Sequence, residues 1–161
     1  MNVKERAVEA AQRIEAGRSG LEAMARVDAK TFARPYAPGK WNGAEVFGHL
    51  ADCDLVYYYR FLKVVAEEGV PIVPFDQDRW VTELRVRERP IAVSMACIAA
   101  ARAGLAHYLS VLPPDALERG TVHPERGPVT AIGLAEVCGN HALHHLEQLE
   151  AIRDGRTWSA R

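Results

Sequence analysis

Apolar residues recur at three- and four-residue spacing in four long blocks of this chain, and this periodicity constrains the fold more than any other feature. Connections that contain proline and glycine separate the blocks. The spacing predicts four helices, at about residues 3–27, 42–68, 90–113 and 130–155. Because such helices bury their apolar stripes against one another, the predicted fold is all-α, a four-helix bundle with long connections. The whole chain, residues 1–161, is expected to form a single domain.

Local signals indicate where two of these helices begin. Asn42 is a favourable N-cap, and Glu45 follows three positions later in capping-box spacing. Thr130 is a suitable cap for the last helix. By contrast, residues 69–89 and 115–128 are interpreted as long connections, and the first is too polar and too interrupted by proline for a long regular element. Loops of this length are often functional.

Charge and cysteine content exclude several classes of protein. The 20 Lys and Arg residues nearly balance the 21 Asp and Glu residues, so no nucleic-acid partner is expected. We expect no apolar run long enough to span a bilayer and no export signal, and therefore no membrane partner. Cys53, Cys97 and Cys138 show no Cys-x-x-Cys pairing, which favours reduced thiols in the cytoplasm. An apolar helix face could support a homodimer.

Three histidines are the main candidates for a metal site. His141 and His145 are four residues apart in the last predicted helix, so their imidazoles lie one above the other on a single face. A third ligand must come from another segment, and His49 lies in the second predicted helix, which a bundle could bring against that face. Three neutral imidazoles leave at least one coordination position open, as in a catalytic site.

Two cysteines share the histidine faces and leave an alternative open. Cys53 follows His49 by four residues, and Cys138 lies on the same side of its helix as His141. A mixed histidine and cysteine site therefore competes with the site made of three histidines. Burial of both thiols as small apolar side chains is the simpler interpretation.

Four segments together resemble the DinB/YfiT-like superfamily, and the resemblance covers most of the chain. The segments are Gly39-Lys40-Trp41-Asn42, Glu45 to Asp52, Phe75 to Trp80, and the terminal Asn140-His141-x-x-His144-His145-x-x-Gln148. The resemblance implies a four-helix bundle that binds one divalent metal ion through His49, His141 and His145. In the family pattern the second histidine of the His-His pair is the ligand, so His144 would be exposed or would lie beside the site.

The terminal segment departs from the commonest family pattern at two positions. Leu146 and Glu147 stand where that pattern has Arg-Gly. The ligands are intact, but a basic contact is lost, so the substrate preference of relatives does not transfer directly. Relatives include thiol-dependent isomerases and S-transferases, which suggests a low-molecular-weight thiol as cosubstrate. Zn²⁺ is the default metal, with Ni²⁺ or Fe²⁺ as alternatives, because imidazole suits all three.

The sequence therefore predicts a metal-dependent transferase or hydrolase that acts on a small-molecule substrate. The alternative is a non-enzymatic metal-binding or stress-response protein, in which Cys53, Asp52 or a loop blocks the remaining coordination positions. None of the six histidines follows a glutamate by three residues, so a ferritin-like di-iron site is excluded. The chain also lacks a phosphate-binding glycine loop and a Gly-x-Ser-x-Gly motif.

Five further side chains are candidates for the surroundings of the metal. Asp52 or Glu45 would orient His49 or act as a catalytic base. Arg60 could hold a substrate carboxylate or pair with an acid on a neighbouring helix. Asp76 and Trp80 are candidates for a lid over the metal, and the structural alternative is that Trp80 anchors its loop to the bundle.

Overall fold

The computed structural model describes residues 1–67 and 69–159, which contain six α-helices and one two-stranded sheet. These elements are α1 (Val3–Ala25), α2 (Gly43–Ala66), α3 (Gln77–Glu83), α4 (Ile91–Val111), α5 (Pro114–Glu118), β1 (Gly120–His123), β2 (Gly127–Thr130) and α6 (Ala131–Arg153). The four long helices, α1, α2, α4 and α6, pack against one another. The predicted four-helix bundle is therefore confirmed.

The predicted starts of α2 and α6 are confirmed by their capping hydrogen bonds. Asn42 accepts from the Glu45 backbone N–H at 2.9 Å, and Glu45 accepts from the Asn42 backbone N–H at 2.8 Å. The Thr130 hydroxyl accepts from the Gly133 N–H at 3.2 Å. These contacts satisfy backbone donors that a helix leaves unpaired at its first turn. The predicted end of α2, at Glu68, lies outside the described residues.

Both long connections contain short elements that the sequence did not predict. The first connection holds α3, whose cap is Asp76, which accepts from the Arg79 N–H at 2.9 Å. The second holds α5 and an antiparallel hairpin, in which β1 and β2 pair from Gly120↔Thr130 to His123↔Gly127. Elements of four to seven residues are too short to give a periodic signal. Each of these elements contacts α2 or α6, the two helices that carry the three histidines.

A buried ion pair links the four long helices inside the bundle. Arg102 of α4 donates to both carboxylate oxygens of Asp54 of α2, at 2.6 and 2.9 Å, and both side chains are 0% exposed. The same guanidinium donates to the backbone carbonyls of Ile14 in α1 and Cys138 in α6. One side chain therefore contacts all four helices.

Helix α4 is long and apolar enough to cross a membrane when only length and composition are considered. This finding corrects the expectation that no apolar run of the chain reaches that length. The helix has one Arg, Arg102, and that side chain is buried against Asp54 of α2. Because core helices of soluble proteins meet the same criteria, one such helix is weak evidence for a membrane span.

Candidate metal centre

Helices α2 and α6 bring the three predicted histidines together. The Nε2 atom of His141 lies 3.1 Å from Nε2 of His49 and 3.1 Å from Nε2 of His145. The rings of His49 and His145 have their centroids 4.9 Å apart. The ring nitrogens therefore converge on one point between the two helices.

This arrangement fits a divalent metal ion. Imidazole nitrogens bind Zn²⁺ at about 2.0–2.1 Å, so two nitrogens on the same ion are at most about 4.2 Å apart. The observed separation of 3.1 Å lies within that limit for both pairs that include His141. Nδ1 of His141 is buried and has no hydrogen-bond partner among the described residues. The polar contacts of this ring are therefore those of Nε2, with His49 and His145. The donor set suits Zn²⁺, Ni²⁺ and Fe²⁺ alike.

Neighbouring side chains orient two of the imidazoles. Nδ1 of His145 donates to the side-chain oxygen of Gln148 at 2.7 Å, which leaves the Nε2 lone pair free to bind a metal. The ring of His49 packs against Trp41, with centroids 4.6 Å apart. Gln148 belongs to the terminal motif, but the sequence alone did not predict its role. Its position three residues after His145 on the same helix face was the available signal.

All three imidazoles are in the neutral form that binds metals. Removal from water lowers the pKa of His49 to about 3, that of His141 to about 2 and that of His145 to about 4. Charge repulsion between the neighbouring rings contributes to the lowering for His49 and His141. Since a metal competes with protons for the ring nitrogen, a neutral imidazole is the ligand form at neutral pH.

Cys53 lies beside the histidines, whereas Cys138 does not. The Sγ atom of Cys53 is 3.7 Å from Nδ1 and 3.8 Å from Nε2 of His49, and possible ligand atoms of Cys53, His49 and His141 all lie within 4.8 Å of one another. Burial raises the pKa of Cys53 to about 12, so its thiol is protonated in the metal-free site. Cys138 instead donates to Asp54 at 3.4 Å. The mixed site therefore stays an alternative only through Cys53.

The expectation that Asp52 or Glu45 orients His49 needs correction. Asp52 accepts two hydrogen bonds from Arg89, at 2.7 and 3.2 Å, and Glu45 is held in the capping box of α2. Neither carboxylate makes a hydrogen bond to His49 in this structure, because each already has a partner with good geometry. Arg89 follows Asp52 by 37 residues, so nothing local in the sequence indicated the pair.

The structure places the other three predicted side chains around the loop that precedes α3. Arg60 donates to the backbone carbonyl of Val73 at 2.6 Å and lies over the ring of Phe75 at 5.5 Å. Trp80 packs on Phe75 with ring centroids 4.4 Å apart. This contact favours the role of Trp80 as an anchor of its loop. Asp76 caps α3. Among the described residues, Arg60 has no acidic partner, so the predicted pairing with an acid on another helix is not observed.

A cleft of about 390 Å³ opens beside His145 and Gln148. Aromatic side chains of Tyr36 and Trp158 line it, and their ring centroids are 5.7 Å apart. Neither residue was among the predicted site residues, because both lie outside the four segments that resemble the family. The ring of His144 packs between Trp158 and His145, with ring centroids 4.9 and 5.1 Å away, as expected for a residue beside the site. A small molecule therefore has a route to the histidines.

Loss of the Gln148 hydrogen bond is expected to weaken metal binding. Replacing Gln148 by leucine removes the acceptor of His145 Nδ1–H, and partners of this kind are worth about 10- to 100-fold in metal affinity. Competition with a chromophoric chelator measures the change. Gln148→Glu keeps an acceptor and should retain the affinity of the wild type. Unchanged affinity in Gln148→Leu would show that the hydrogen bond does not support the ligand.

Comparison with known proteins relates the chain to one family. The family model of the DinB superfamily matches residues 13–149. A protein of Oceanobacillus iheyensis named "Putative metal-dependent hydrolase OB0782" is 30% identical over 123 residues, which cover 76% of this chain and 71% of that protein. A protein of Bacillus subtilis named "Putative metal-dependent hydrolase YfiT" is 27% identical over 119 residues, which cover 71% of this chain and 67% of that protein.

Solved structures show the same fold. YfiT from Bacillus subtilis, which has an unusual four-helix bundle topology, superposes with a TM-score of 0.85 at 24% identity over 95% of this chain and 90% of that chain. The mycothiol-dependent maleylpyruvate isomerase superposes with a TM-score of 0.72 at 14% identity. That alignment covers 92% of this chain and 61% of the isomerase. At these identities the likeness concerns the fold alone.

Proposed function

Because this chain belongs to the DinB superfamily, we propose that it is a metal-dependent hydrolase or transferase that acts on a small molecule through His49, His141 and His145. The convergence of their Nε2 atoms, with separations of 3.1 Å, carries this proposal. The cleft beside His145 gives a substrate access to the same point. The names of the relatives agree with this class of activity.

The residues of the chain would hold the ion and control its surroundings. A divalent ion at the three imidazoles would act as a Lewis acid that lowers the pKa of a water or thiol and polarises a substrate oxygen. Gln148 keeps the proton of His145 on Nδ1, so that Nε2 remains available. Trp41 shields one face of the His49 ring from water. Zinc is the default ion, and nickel or iron would fit the same ligands.

The nucleophile comes from outside the chain in this proposal. Burial raises the pKa of Cys53 to about 12 and that of Cys138 well above its ordinary value, so both thiols are protonated when no metal ion is bound. Water is the nucleophile of a hydrolase, and a low-molecular-weight thiol is the nucleophile of a transferase. All three cysteines of the chain are free, which suits the reducing cytoplasm.

A non-enzymatic metal-binding protein is the second candidate, and Cys53 is the observation that favours it. Its Sγ atom lies 3.7 Å from the His49 ring. If that thiol lost its proton and bound the ion, four protein ligands would form a closed, structural type of site. The two candidates therefore differ in whether a coordination position is open to small molecules.

Cobalt substitution tests whether that position is open. We expect 2-mercaptoethanol to bind the Co²⁺-loaded protein and to produce a thiolate-to-cobalt absorption band. Cys53→Ser should leave the spectrum of the protein without added thiol unchanged. The opposite result would be no spectral change on addition of the thiol, together with a changed spectrum in Cys53→Ser. That result would overturn the proposal of an enzyme and favour the closed site. Hydrolysis of small esters and thiol transfer to small electrophiles would then be screened, and the activity should follow metal occupancy.

A further inference from the structure

A second polar cavity is separate from the cleft beside His145, and Tyr57, whose ring packs against His141, forms part of its wall. It is enclosed by α2, α6, the β1–β2 hairpin and the loop before α3. Its volume of about 80 Å³ would hold about five water molecules. The polar side chains that line it are Tyr57, Arg60, Gln77, His123, Glu125 and Arg126.

This cavity continues the row of histidines along the same two helices. Tyr57 follows His49 by eight residues on one face of α2, and Val137 precedes His141 by four residues on α6. The ring centroids of Tyr57 and His141 are 5.9 Å apart. Since four residues of a helix rise about 6 Å, the cavity begins about one helical turn from His141.

Arg60 brings a buried positive charge to this cavity without an acidic partner. The residue is only 8% exposed, and its recorded hydrogen bond goes to the carbonyl of Val73. A guanidinium has five N–H donors, and a buried charge is costly unless it is paired. Glu125 also lines the cavity but forms no ion pair with Arg60. An anionic ligand would supply the missing charge.

The hairpin adds two more donors on the opposite wall. Arg126 is exposed and has no ion-pair partner in the part of the chain that the structure describes. His123 is buried, and its Nδ1 accepts from the backbone N–H of Glu125 at 3.2 Å. The proton of a neutral His123 ring is therefore on Nε2, which remains as a donor. Both residues lie in a short hairpin that the sequence did not predict.

We propose that Arg60, Arg126 and His123, here called the arginine subsite, bind a carboxylate of the small-molecule substrate while its reacting group lies at the three histidines. This inference rests on the proposed function. A planar carboxylate matches the paired donors of a guanidinium. Two guanidinium groups against the one carboxylate of Glu125 leave a single positive charge, which suits a carboxylate better than a phosphate dianion.

Thiols with and without a carboxylate test this inference in the Co²⁺-loaded protein. The probes are mercaptoalkanoic acids with two to five methylene groups and mercaptoalkanols of the same lengths, and the thiolate-to-cobalt band reports binding. We expect one length of acid to bind at least about tenfold more tightly than its alcohol, because hydrogen bonds between a guanidinium and a carboxylate are stronger than those to a neutral hydroxyl. That preference should disappear in Arg126→Gln and in Arg60→Gln. Arg79→Gln removes an exposed arginine that does not line the cavity and should keep the preference.

The outcomes separate this inference from the proposed function. If neither acids nor alcohols change the cobalt spectrum, the open metal site itself is wrong. If both bind equally at every length in the wild type, the metal site is open but the arginine subsite is wrong. An acid preference that persists in both arginine variants would also overturn the inference. Arg126→Gln is the decisive variant, because this exposed side chain holds no other part of the fold in place, whereas Arg60 anchors the loop at Val73.

Discussion

Replacement of His145 by alanine is expected to abolish metal retention, whereas replacement of His144 should leave it unchanged. Nε2 of His145 lies 3.1 Å from Nε2 of His141, so its loss removes one of three converging donors. The ring of His144 packs on Trp158 instead. Elemental analysis of protein purified without chelator or affinity histidines measures the bound metal. The wild type and His144→Ala should each hold about one ion per chain, as a mononuclear site requires.

Two further variants test the other two candidate ligands. His49→Ala and His141→Ala should each lose the metal, because their Nε2 atoms are 3.1 Å apart in the same cluster. Circular dichroism shows whether each variant keeps its helices, so that loss of metal is not confused with unfolding. Full metal content in a double His141→Ala and His145→Ala variant would contradict the assignment of the ligands.

Local sequence signals predicted the parts of this protein that depend on neighbours in the chain. The capping box of Asn42 and Glu45 forms within one turn, and its two hydrogen bonds are present. The spacing of His141 and His145 places both rings on one helix face, and their centroids are 4.6 Å apart. His49 could be added only because the bundle was predicted first, since α2 and α6 are far apart in the sequence.

Interactions between distant segments could not be predicted in this way. Asp52 was a candidate base, but its partner Arg89 lies 37 residues away in a connection without periodicity. Arg60 reaches the backbone of a loop, which no side-chain pattern indicates. The hairpin that carries His123 and Arg126 has strands of only four residues, which are too short to give a periodic signal in the sequence. The convergence of the three histidines was thus predictable from the sequence, whereas the contacts of the side chains around them were not.

Replacement of Asp54 by alanine is expected to lower the free energy of unfolding by about 3–5 kcal/mol, because it leaves the buried charge of Arg102 without a partner. Both side chains are 0% exposed, so water cannot replace the lost carboxylate. Urea denaturation followed by circular dichroism measures the loss. The double variant Asp54→Leu/Arg102→Met removes both charges and should be destabilised much less, since apolar side chains can fill the space of a buried ion pair. A double variant as unstable as Asp54→Ala would show that packing, not the unpaired charge, causes the effect.

This ion pair also bears on the position of the three candidate metal ligands. Asp54 follows Cys53 on α2, and Arg102 donates to the carbonyl of Cys138, three residues before His141 on α6. The pair therefore holds α2 and α6 together about one helical turn from the point where the histidines converge. If the stable double variant binds metal as tightly as the wild type, helix packing alone sets the distance between His49 and His141. If it binds metal more weakly while remaining folded, the ion pair is required to place the ligands, and its retention in an apolar core has a functional reason.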